Sequence, residues 1–154
     1  MASSLDILRP SPSPPAAIKS VNPSVRDVES RAFKFANLLS SRNFTDPLMK
    51  QLLVSDFQCQ VEFPSGRVGM VQSRSEFINH YTKHNGTRLL DVSNVTTEID
   101  EKSGLARVML LLRITDSPRG IPQEVVSVLW WRRDKGSWRC YQQTGMRGVS
   151  GFGM

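Results

Sequence analysis

His80, Tyr81 and His84 sit within the stretch Phe77-Ile-Asn-His-Tyr-Thr-Lys-His84, close enough to share one surface of a helix. An imidazole whose ordinary pKa lies near neutrality, beside a phenol hydroxyl, can both give and take a proton. Phe77, Tyr81 and His84 fall on one stripe of that helix, flanked by His80. At the helix end His84 faces the negative end of the dipole, which favours its protonated form. The chemistry this pattern offers is general acid–base catalysis, with His84, Tyr81 and His80 as the candidate catalytic residues. A solvated dipole partner is the competing reading of His84.

Other reactive residue types point away from chemistry. Cys59 and Cys140 are too few for a disulfide scaffold, and their apolar strand surroundings make them small core residues rather than nucleophiles. With only His80 and His84 to join them, and no ligand spacing, no metal site and no cofactor are expected. The Asn-x-Thr triplets at Asn43, Asn85 and Asn94 have the form of glycosylation sites, but no secretory signal accompanies them.

These residues need elements to position them. Ser24 is the expected cap of a helix with the stripe Val25, Val28, Ala32, Phe35 and Leu39. Asp46-Pro47 should start a second, short helix through Leu53. Phe57, Cys59, Val61 and Phe63 alternate with Gln58, Gln60 and Glu62, the pattern of a strand with one buried face. Pro64-Ser65-Gly66 turns the chain into a short strand, Arg67 to Val71. Ser73-Arg74-Ser75-Glu76 is a capping box for a helix from Arg74 to His84, ending near Gly86. Long strands are expected at 89–99, 104–115, 123–133 and 137–146, the last two joined by the tight turn Asp134-Lys135-Gly136. Helices followed by a meander predict an α+β fold, with three N-terminal helices packed on a curved antiparallel sheet.

The chain of 154 residues has room for one ordinary domain, placed at 24–147. Residues 1–23 hold five of the nine prolines and no aromatic residue, and read as a flexible Pro/Ser-rich tail whose Ser-Pro-Ser-Pro-Pro run is a spacer or a polyproline ligand. Residues 148–154 form a Gly-rich tail whose Phe152 and Met154 could fold over an apolar opening. No apolar run is long enough to cross a bilayer, and the start lacks a secretory pattern, so a cytoplasmic protein without membrane contact is expected.

The net charge of +6 is concentrated between Arg107 and Arg147, where eight basic residues oppose three acids. Base-reading motifs are absent, so nucleic acid is not the expected partner. Two strands are apolar on both faces: Val108 to Leu112, and Val125 to Trp131. Helices can cover one sheet face; a second copy is the simplest cover for the other, giving a homodimer through the sheet with Trp130 in the contact.

The order of elements, with the stretches ANLLSSRNF (36–44), GMVQSR (69–74), TKHNGTRL (82–89) and VLWWRRDKGSWR (128–139), resembles the cone-shaped α+β barrel superfamily. That group includes nuclear transport factor 2, SnoaL-like proteins, ketosteroid isomerase and scytalone dehydratase. The resemblance is greatest to scytalone dehydratase. It implies a conical pocket lined here by Phe35, Leu39, Phe63, Phe77, Ser127, Leu129 and Trp131. It also implies a small, apolar, oxygenated ligand and a lyase (dehydratase) or isomerase/cyclase step on a polyketide-like or terpenoid-like intermediate of secondary metabolism.

Position by position, His84 falls on a catalytic histidine of that dehydratase. The family's helix tyrosine–aspartate pair falls on Leu39 and Ser40, its strand tyrosine on Phe63, its second histidine near Leu111 or Leu112, and its pocket asparagine on Ser127. The basic aspartate of ketosteroid isomerase falls on Phe63 and its helix tyrosine on Phe35. Glu62 points to the opposite face and does not replace that aspartate. Loss of these groups leaves a non-catalytic homodimeric interaction or transport module as the alternative function.

Overall fold

The computed structural model describes residues 22–62, 67–84, 88–116 and 122–147. The elements run α1 (Pro23–Ser40), α2 (Leu48–Leu52), β1 (Leu53–Glu62), β2 (Val68–Val71), α3 (Arg74–His84), β3 (Arg88–Asp100), β4 (Leu105–Asp116), β5 (Pro122–Asp134) and β6 (Ser137–Arg147). The strands form one six-stranded sheet in the order β2-β1-β6-β5-β4-β3. Every joint is antiparallel except β1–β6, where the edge hairpin β1–β2 docks parallel to the last strand. The Pro64–Gly66 turn, Phe63, Asn85 and the two terminal tails lie outside the described residues, as do the side chains of Glu62 and His84.

Local chemistry sets the helix ends. Asn22, not Ser24, caps α1: its Oδ1 accepts from the Ser24 N–H at 2.7 Å, and Pro23 takes the first helical position, where its missing donor costs nothing. Val28, Ala32, Phe35, Ala36 and Leu38 form the buried face. The helix stops where Arg42 turns left-handed (φ 57°), with the N–H of Asn43 bonded to the Leu38 carbonyl at 2.9 Å. Asp46 caps α2 through the Leu48 N–H at 2.8 Å. Here β1 starts at Leu53, earlier than the alternation from Phe57 suggests. Leu53 is fully buried and pairs with Cys140, while the register then shifts before Gln58. Ser73 caps α3 by accepting from the Glu76 N–H at 3.0 Å, and Glu76 returns to the N–H of Gln72 at 2.8 Å rather than to Ser73.

The meander is built from tight turns. Lys135 and Gly136 both have positive φ (53° and 83°), the two-residue turn whose twist matches a hairpin, with Asp134 opposite Ser137. Gly104 (φ 69°) closes the β3–β4 turn, where Asp100 accepts from the N–H groups of Lys102 and Ser103. Glu101 in that turn accepts from Asn22 Nδ2 at 2.8 Å, Ser24 Oγ at 3.0 Å and Arg133 at 2.9 Å, tying the start of α1 to this end of the sheet. The strand termini Glu62, Arg88, Asp116, Pro122 and Arg147 gather at the opposite end. Ser40 at the end of α1 reaches that end too, accepting from the Leu90 N–H.

Helices cover one sheet face. Val108, Leu110 and Leu112 of β4, Ser127, Leu129 and Trp131 of β5, and Trp138 and Cys140 of β6 are buried beneath them, with Phe35, Phe57 and Phe77 among the buried residues. The other face carries Leu105, Met109, Leu111, Val126, Val128 and Trp130, which are exposed or half-buried.

Candidate functional site

The concave interior starts from an aromatic cluster. The Phe35, Phe57 and Phe77 rings have centroids 5.1–6.1 Å apart, and Tyr81 continues the stack 4.8 Å beyond Phe77 toward Phe44 at 6.1 Å. Tilted and edge-on contacts of this kind orient rings as well as burying them. The α-helical repeat puts Phe77 and Tyr81 on the face turned to β1, so α3 presents a phenol at the end of an otherwise hydrocarbon wall. His80 stands edge-on to Tyr81 at 5.3 Å and is half-buried. His84 closes the backbone of the same helix.

Of the ligand-lining residues expected from the sequence, Phe35, Phe77, Leu129 and Trp131 are buried in the core and Leu39 packs against it. Ser127 is the buried polar residue of this set, 7% exposed. Phe63 lies outside the described residues. Alternation along β5 places Ser127, Leu129 and Trp131 beneath the helices and Trp130 on the outer face.

A polar line crosses this interior that alternation alone does not reveal. Gln143 accepts from the Cys59 thiol at 2.8 Å through Oε1. Through Nε2 it donates to Ser127 Oγ at 3.0 Å and to the Thr144 carbonyl at 3.1 Å. Gln60 Oε1 accepts from the Gly145 N–H at 3.1 Å. Sequence reading missed Gln143 because β6 contains a bulge: Trp131 pairs with Cys140 but Trp130 pairs with Gln142, leaving Tyr141 as the extra residue. Beyond that point the buried phase switches from even to odd positions, and Gln143 comes opposite Leu129. Burial pushes the thiols of Cys59 and Cys140 well above the ordinary cysteine range, so they act as neutral donors or space-fillers.

Two donors in the interior lack an acceptor among the described residues. Trp131 is fully buried, and its indole Nε1–H has no hydrogen-bond partner among the described residues. Ser127 accepts from Gln143, but no acceptor for its own hydroxyl proton is found among the described residues. No group of three or more His, Cys, Asp or Glu side chains that could hold a metal is found among the described residues. Nor is any described helix long and apolar enough to cross a membrane.

Comparison of the whole architecture with solved structures places it. An NTF2-like protein from Pseudomonas putida KT2440 superposes with a TM-score of 0.61, over 84% of this chain and 86% of that one. The chain has the NTF2-like fold. At 14% identity that likeness is one of fold alone. The same NTF2-like architecture recurs in the CaMKII hub of S. rosetta (TM-score 0.66, 10% identity, 83% of this chain and 98% of that one). It recurs again in a candidate ketosteroid isomerase from Shewanella frigidimarina (0.60, 15% identity, 78% and 94%). No family profile matches the sequence, and no curated protein is similar to it. A fold shared by a hub and a candidate isomerase does not choose a function, which rests on the site.

Proposed function

We propose that the protein binds a small, largely apolar molecule carrying an acceptor oxygen inside the cone. The observation that carries this reading is the buried indole N–H of Trp131, which has no hydrogen-bond partner among the described residues. A buried donor left without a partner costs about 1–3 kcal/mol, and a ligand oxygen would recover that cost on binding. The aromatic wall of Phe35, Phe57, Phe77 and Tyr81 supplies the apolar contact expected of such a pocket.

On this reading a dehydratase (lyase) or isomerase/cyclase step on an oxygenated polyketide-like or terpenoid-like intermediate would draw its protons from Tyr81, with His80 and His84 beside it on α3. Phe35 occupies the helix position where the likeness to ketosteroid isomerase calls for a tyrosine, and it is packed against the Phe57 and Phe77 rings. Binding is therefore better supported than turnover.

The test uses a matched pair of probes, the bicyclic ketone 1-tetralone and its hydrocarbon tetralin, titrated into the protein by calorimetry. The ketone should bind about tenfold tighter, the equivalent of one recovered hydrogen bond of roughly 1.4 kcal/mol. Trp131→Phe should erase that preference while keeping tetralin affinity. Equal binding of the two probes, or none, would reject the reading.

A second reading has its own observation. The outer sheet face exposes Met109 (36%) with half-buried Leu111, Val126 and Val128 around it, a continuous apolar strip across β4 and β5. A homodimer through this strip would cover it, and hub proteins share the fold. Sedimentation at micromolar concentration tests this directly: a monomer mass refutes it, and Met109→Lys should dissociate a dimer.

A further inference from the structure

At the closed end of the outer face, Trp130 and Tyr141 form the aromatic walls of an open groove of about 390 Å³, with Leu105, Arg107, Glu98 and Asp100 around them. Tyr141 lies on this face by ordinary alternation from the buried Trp138 and Cys140, next to Trp130, whose paired residue across the strands is Gln142. Arg107 lies over the Trp130 ring, 5.5 Å from its centroid, and pairs with Glu98; Arg132 lies at the same distance from the centre of Tyr141. The Trp130 indole N–H is covered and has no partner among the described residues.

Two aromatic walls suit one kind of occupant: an extended proline-rich strand, whose rings pack against them. The chain carries such a sequence upstream of α1. Residues 9–15 read Arg-Pro-Ser-Pro-Ser-Pro-Pro and contain the Pro-x-x-Pro spacing at Pro12 and Pro15. Asn22, the first described residue, is bonded to Glu101 in the turn that follows β3, next to Asp100 on the groove rim. An extended chain from Asn22 back to Pro15 would span roughly 22 Å at about 3.1 Å per residue. The groove rim holds Asp100 beside the Arg107–Glu98 pair, so Asp100 is the carboxylate that Arg9 would meet.

We propose that residues 9–15 of the same chain dock in the Trp130–Tyr141 groove as a polyproline strand, so that the N-terminal segment is an intramolecular ligand of the outer sheet face. The site is distinct from the cone and does not depend on the function proposed for it.

The experiment uses the full-length protein with a nitroxide on Ser11→Cys, read through backbone amide and indole proton resonances. Line broadening should be strongest at Arg107, Trp130 and Tyr141 and weak at Leu111 and Val126, which lie at the far end of the same face. In a full-length chain with Pro10, Pro12, Pro14 and Pro15 changed to serine, the broadening should spread and weaken. The Trp130 indole proton should move between the two chains, while those of Trp131 and Trp138 stay fixed. Identical patterns in both chains, or broadening centred on the 101–104 turn, would overturn the proposal. So would broadening at these positions only in a mixture of spin-labelled and isotope-labelled copies, which would assign the groove to a second molecule.

Discussion

Gln143→Leu is the substitution whose effect follows most directly from the geometry of the interior. The leucine is one atom shorter and removes both polar atoms, so Ser127 loses the donor at 3.0 Å and the Cys59 thiol loses its acceptor at 2.8 Å. Ser127 is only 7% exposed, and Gln143 is its one partner among the described residues, so water does not easily replace the lost bond. A buried hydroxyl without a partner costs about 1–3 kcal/mol; the thiol, a weak donor, adds less. Ser127→Ala alone should cost about 1 kcal/mol, because Gln143 keeps the Thr144 carbonyl and the thiol.

Removing both partners leaves no orphaned hydroxyl, so the double variant should be less destabilised than the sum by roughly 1 kcal/mol. Urea unfolding of the four chains, followed by far-ultraviolet circular dichroism, measures that cycle. For a chain of this size each kcal/mol also shifts the melting temperature by about 2–4 °C. Strict additivity, or a Gln143→Leu chain as stable as the parent, would show that the polar line does not hold the interior together.

Three further outcomes are expected. Phe77→Ala removes the ring that contacts Phe35, Phe57 and Tyr81 from a site 1% exposed, and should cost about 3–5 kcal/mol in the same urea assay. Hydrogen bonds from Asn22, then Arg133 and Ser24, hold the Glu101 carboxyl below its ordinary value of 4.5. Its contribution is therefore complete above pH 4.5 and is lost as the pH falls through the depressed value, so amide exchange in the first turn of α1 should accelerate on acidification. Glu101→Gln should show the faster exchange already at neutral pH. Because burial raises both thiols, Cys59 and Cys140 should resist a thiol reagent at pH 8 in the native protein and both react in urea; fast native labelling would contradict their placement.

Periodicity made much of this architecture legible. The helix stripe of Val28, Ala32 and Phe35, the alternation of Phe57, Cys59 and Val61, and the Lys135-Gly136 turn are each fixed by contacts a few residues apart, which a sequence displays. The same reasoning grouped Ser127, Leu129 and Trp131 on one face of β5, the face that the resemblance turns to the cone and that the helices cover. It failed where two elements compete at a boundary. Ser24 looked like the cap, but Asn22 holds that place because Pro23 fits only at the start of a helix. The early start of β1 at Leu53 is imposed by Cys140 on a strand far away in the chain.

The sequence by itself determined which residues alternate, where helices start and stop, and therefore the α+β layout and most of the apolar interior. Only the tertiary structure decided the phase of β6, because a bulge is a property of the paired strands and not of either one. That single extra residue brings Gln143 into the interior beside Cys59 and Ser127. The two features on which function is proposed here, the unsatisfied Trp131 and the Trp130–Tyr141 groove, also belong to that level. A missing hydrogen-bond partner is a statement about three-dimensional neighbours, which no local pattern encodes.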